Sequence, residues 1–84
     1  MSYYYLLCRS LTHAQRTVRA LSCAGVAASV GRAPYGISDL GCAYSIKLSE
    51  RTFRLAMGVI HAKNLPYQKI FRTTQLGGYE EVRL

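Results

Sequence analysis

Apolar positions along the chain switch between a period of two and a period near 3.6, and the switches mark six elements. Tyr3-Tyr4-Tyr5-Leu6-Leu7-Cys8 is a short aromatic and aliphatic run closed by Arg9-Ser10, which predicts a strand. Leu11, Ala14, Val18 and Leu21 then step by three and four, predicting an amphipathic helix capped by Ser10 or Thr12 and stopped at Ala24-Gly25. Val26 to Val30 predict a second strand. Gly31 to Gly41 hold three glycines and Pro34 and predict a loop. Residues Cys42 to Leu48 alternate, with Cys42, Tyr44, Ile46 and Leu48 on one face and Ala43, Ser45 and Lys47 on the other, so a third strand is expected there. Ser49 is a good N-cap and Glu50 suits a first turn, after which Phe53, Ala56, Val59, Ile60 and Lys63 form one stripe of a second helix. Asn64-Leu65-Pro66 supplies its stop, and Tyr67 to Arg72 or Thr73 predict the last strand.

Strand, helix, strand, strand, helix, strand amounts to two split βαβ units. The expected fold is α+β, a ferredoxin-like βαββαβ sandwich. Right-handed crossovers place strands 1 and 3 at the centre of a four-stranded antiparallel sheet, with both helices on one face. One domain is expected over residues 1–73, followed by a tail over 74–84 that can swing on Gly77-Gly78. Strand 1 is apolar on both sides, so its second face calls for a cover or a stacking partner.

Composition narrows what such a domain can do. Eighty-four residues suffice for one core but leave no room for a deep substrate cavity. The longest apolar run, Tyr3 to Cys8, is far too short to cross a bilayer, and no basic-then-apolar leader opens the chain, so a cytoplasmic protein away from membranes is expected. Eleven Lys+Arg against four Asp+Glu give a net charge of +7, which favours an acidic partner.

Catalytic groupings are sparse. Asp39 and Glu50 are the only acids ahead of Glu80-Glu81, His13 and His61 stand apart from other metal ligands, and no phosphate-binding glycine motif occurs. The expectation is a protein that is not an enzyme and holds no cofactor and no metal. Cys8, Cys23 and Cys42 form no C-x-x-C pair, so free thiols are expected. Cys8 reads as a buried small hydrophobe. Cys23 shares the outer face of helix 1 with Arg16 and Arg19.

Cys42 differs because it follows Gly41 where a glycine-rich loop enters a central strand, a place open to a second molecule. Arg32 at the other end of the loop and Lys47 on the same strand favour its thiolate. Core packing with Tyr44, Ile46 and Leu48 is the alternative.

At this point the chain resembles a known family. Tyr4-Tyr5-Leu6-Leu7, Ser10-Leu11-Thr12-His13-Ala14, Gly25-Val26, Ala33-Pro34 and Ile37-Ser38-Asp39-Leu40-Gly41-Cys42-Ala43-Tyr44 resemble the small selenium/sulfur carrier-like domain, found alone or behind a TusA-like domain. The similarity runs from Tyr3 to Arg72. It implies a thiol shuttle in which Cys42, beside Gly41 and in a loop shaped by Pro34, passes a persulfide or selenide from a donor to an acceptor protein. Many members set the thiol before the glycine, whereas this chain reads Gly41-Cys42.

Two other readings use the open face. One is a domain that pairs with a second copy of itself. The other is a single-stranded RNA platform built on Tyr3, Tyr5 and Tyr44. Nucleic acid is the less favoured partner, because the third strand lacks the basic-Gly-aromatic pattern of RNA-recognition domains.

Overall fold

The structure, a computed structural model, describes residues 2–34 and 44–83. Seven elements follow in order: β1 (Tyr3–Cys8), α1 (Leu11–Cys23), β2 (Ser29–Arg32), β3 (Tyr44–Ser49), α2 (Phe53–Ala62), β4 (Lys69–Thr73) and β5 (Tyr79–Val82). The strands form one sheet in the order β2-β3-β1-β4-β5, and every neighbouring pair is antiparallel. An α+β fold with β1 and β3 in the interior of the sheet is therefore observed, but with five strands rather than four.

The extra strand comes from the segment read as a tail. Gly77, at φ 84, turns the chain back, and the Thr74 hydroxyl accepts the Gly78 N–H at 3.0 Å. Gly77-Gly78 is thus part of a hairpin turn rather than a free hinge. Arg72 opposes and ion-pairs with Glu80, so the acids that made this segment look like a tail join it to β4.

Register places one aliphatic residue from each strand in a single row. Val30, Ile46, Leu6, Ile70 and Val82 are successive cross-strand partners. Helix side chains close over this row: Ala14 and Leu21 from α1, and Phe53, Ala56, Met57 and Ile60 from α2, belong to the same core. Both helices therefore cover one face of the sheet. The Tyr4 ring stacks on Phe53 at 3.8 Å between centroids. Met57 lies deeper than Val59, which is half-buried. Leu11, expected on the buried stripe, is 39% exposed, and Thr17 takes a core place with its hydroxyl donating to the His13 carbonyl at 3.0 Å.

Both helices end the same way. The Val26 N–H reaches the Leu21 carbonyl at 2.8 Å and the Gly25 N–H reaches Ser22 at 3.0 Å, with Gly25 at φ 83. Leu65 and Asn64 repeat the pattern on Ile60 and His61, with Asn64 at φ 53. These are paired helix stops in which the residue after the left-handed position makes an apolar contact. Val26 is spent on that contact, which is why β2 begins at Ser29 and not at Val26.

The start of α2 also differs from expectation. Ser49 ends β3, a turn occupies 50–52, and Thr52 precedes the helix, its hydroxyl 3.1 Å from that of Ser49. Likewise β4 begins at Lys69, although the Gln68 N–H already donates to the Leu7 carbonyl at 2.8 Å.

Candidate functional site

The sheet end at which the chain enters β3 is the place to examine. Tyr44 opens β3 opposite Cys8 on one side and Arg32 on the other, and its ring packs against the core. Cys42 and Gly41 lie outside the described residues. Arg32 is exposed at the end of β2, and its carbonyl accepts the Ser45 hydroxyl at 3.5 Å. Pro34 follows it, half-buried.

Lys47 is three residues further along β3, with its ammonium 4.2 Å above the Tyr3 ring. Alternation along paired strands puts Lys47 on the open face and Arg32 on the helix side. The structure does not bring these two cations together.

The two described cysteines are unlike each other. Cys8 ends β1 at 1% exposure inside the core, and burial pushes its thiol from the usual 9.0 up to about 11. Such a group is protonated and closed to partners at neutral pH. Cys23 is exposed on the last turn of α1.

A stability measurement checks the state of Cys8. Below pH 9.0 both folded and unfolded chains keep this proton, so stability carries the full benefit of the buried neutral thiol. Between pH 9.0 and about 11 the unfolded chain ionises first, so stability falls as pH rises. The expected loss is about 1.4 kcal/mol per pH unit, or roughly 2–3 kcal/mol across the interval. Urea denaturation of the native chain and of Cys8→Ala should therefore show a gap that shrinks from pH 8.5 to 11. A gap that does not change with pH would mean the thiol is not shielded.

A shallow cavity of about 250 Å³ adjoins the same sheet end, lined by Arg9, His13, Pro66, Tyr67 and Gln68. Arg9 follows Cys8 directly, so this cavity and the start of β3 share one rim. Arg9 is marked in the sequence only by its place at the end of a central strand; its neighbours Pro66, Tyr67 and Gln68 are supplied by the fold. His61, exposed, meets the Tyr67 hydroxyl at 3.5 Å. Among the described residues no cluster of three His, Cys, Asp or Glu could hold a metal ion.

The open face carries a different set of side chains. One row reads Ser29, Lys47, Tyr5, Phe71, Glu81 across the five strands, and a neighbouring row contains Ser49, Tyr3, Thr73 and Tyr79. Tyr44 is not on this face. Phe71 and Tyr79 were missed because strand pairing, not sequence proximity, brings them to Tyr5.

With this geometry in place, comparison with known proteins adds one result. Residues 3–72 match the family described as "Putative Se/S carrier protein-like", and the chain belongs to that family. No curated protein and no solved structure matches it. The match spans β1 through most of β4, leaving β5 beyond it. Among the described residues no helix is long and apolar enough to cross a membrane.

Proposed function

We propose that the protein is a carrier of sulfur or selenium that works through the thiol of Cys42. Family membership over residues 3–72 carries this reading, since that span contains the Gly41-Cys42 pair. The order β2-β3-β1-β4 with both helices on one face suits a ferredoxin-like frame, whose rigid sheet would hold the loop end in place. Core burial of Cys8 removes one competing thiol.

The transfer needs no cofactor. The Cys42 thiolate attacks the outer sulfur of a donor protein's persulfide, forming a new S–S bond as the donor's own S–S bond breaks. The proton stays on the outer sulfur and the donor leaves as a thiolate. An acceptor thiolate takes the outer sulfur by the same exchange. Arg32 at the loop base, with Pro34 fixing the chain direction, would favour the charged thiol. Donor and acceptor are proteins with their own reactive thiols, and the carrier is a shuttle in the cytoplasm rather than a catalyst.

Intact-mass measurement after incubation with a cysteine desulfurase and cysteine tests this. The native chain and Cys23→Ser should each gain one sulfur atom, and Cys42→Ser should gain none. An adduct that persists in Cys42→Ser and disappears in Cys23→Ser would move the carrier role to α1 and overturn the assignment.

A further inference from the structure

We propose that the open face of the sheet binds a short stretch of single-stranded nucleic acid by stacking bases on Tyr3, Tyr5, Phe71 and Tyr79. The four rings come from β1, β4 and β5 and are all half-buried, each keeping part of its surface exposed. Tyr5 is central: it sits between Lys47 and Phe71 in register, and Tyr79 meets it edge-on at 5.7 Å between centroids. Residues two apart on a strand are about 6.8 Å apart. That is twice the roughly 3.4 Å rise of a stacked strand. Bases pulled out of their own stack therefore match the spacing of Tyr3 and Tyr5, which is how single strands lie on aromatic sheets.

Charge selects this occupant. Lys47 lies over Tyr3, while Lys69 and Arg83 flank Glu81 at 3.9 and 3.6 Å, so the acid on this face is already neutralised. Phosphates would find Lys47 and the exposed ends of Lys69 and Arg83 around the rings. A second copy of the chain would instead bring another +7 against the same surface. The aromatic area is also small. Leu7 and Ser45 point to this face but are only 6% and 3% exposed, so that end is closed and the occupant must be short.

The rings of this surface belong to β1, β4 and β5, and its test does not depend on the carrier reading. Fluorescence anisotropy with labelled oligouridylate and oligothymidylate should show binding at low salt that weakens steeply as salt is raised. Tyr5→Leu and Phe71→Leu keep apolar bulk but remove the ring, and each should weaken binding roughly 5- to 100-fold. Tyr5→Phe should retain it, and thermal melts of each variant should show the native transition. Arg16→Gln on α1, away from this face, should change affinity little. Absence of binding at low salt, or binding untouched by Tyr5→Leu in a folded protein, overturns the proposal. So does a dimer seen by light scattering that Tyr5→Leu dissociates, since the face would then belong to a second copy.

Discussion

Leu6→Ala is expected to cost about 2–5 kcal/mol of folding stability, the range for truncating a fully buried leucine. Leu6 is 0% exposed at the middle of β1, and its cross-strand partners Ile46 and Ile70 are themselves buried. Val30 and Val82 extend the same row to both sheet edges. Neighbours fixed by two ladders cannot collapse into the space that the missing methyl groups leave. A domain of this size holds only about 5–15 kcal/mol in total, so the variant should melt lower by roughly 10 °C or more. Leu55→Ala is the contrasting case. That leucine is 57% exposed on α2, and its loss should stay within about 0.5 kcal/mol. Urea titration of both variants measures the difference. A Leu6→Ala chain as stable as Leu55→Ala would show that the row is not the centre of the core.

The chain announces its core better than its surface. Ile46 and Leu48 lie on a local alternation that leaves little choice of face, and the helix stops at Gly25 and Asn64 follow from local backbone chemistry, whereas Leu6, in a strand apolar on both sides, is assigned its face by pairing. Val26 misleads because its apolar side chain closes a helix end and so resembles the start of a strand. Ser49 misleads for a related reason, since a capping residue one turn early looks the same as a cap. The fifth strand is hidden for a different one. Tyr79-Glu80-Glu81-Val82 has adjacent acids that argue for solvent until Lys69 and Arg72 are placed opposite them by pairing.

The functional surface follows the same division. Cys8 and Cys23 were separable by periodicity, the first ending an apolar strand and the second turned outward on α1. Lys47 and Arg32 stand on opposite sides of the sheet because the register of β2 against β3 decides it, and register is a tertiary quantity. Tyr3 and Tyr5 could be read as a two-sided apolar strand, but their companions Phe71 and Tyr79 could not. The +7 charge suggests an acidic partner without saying where, and the single-strand proposal would place it on the open face.

A chain ended at Thr74 should fold, yet lose about 1.5–3.5 kcal/mol, because what β5 adds is peripheral but not idle. Val82 is half-buried against the core beside Ile70, and burying such a side chain is worth about 1–2 kcal/mol. The Tyr79 ring against Tyr5 adds roughly 0.5–1.5 kcal/mol. The exposed Arg72–Glu80 and Lys69–Glu81 pairs add little, as surface ion pairs do. Apart from Val82 the core cluster lies within residues 4–70, inside the span that matches the family, so the shortened chain keeps its centre. Its new edge is β4, with Ile70 and Phe71 along an unpaired backbone, and such an edge invites pairing with another chain. Thermal melts should therefore show a transition roughly 10–20 °C lower, and light scattering should show association that grows with concentration. Sulfur loading at Cys42 should persist in this chain, since the lost residues lie outside the span 3–72 that matches the family. Single-strand binding should weaken along with Tyr79. An unchanged melting temperature and a clean monomer would mean that β5 contributes nothing to the sheet.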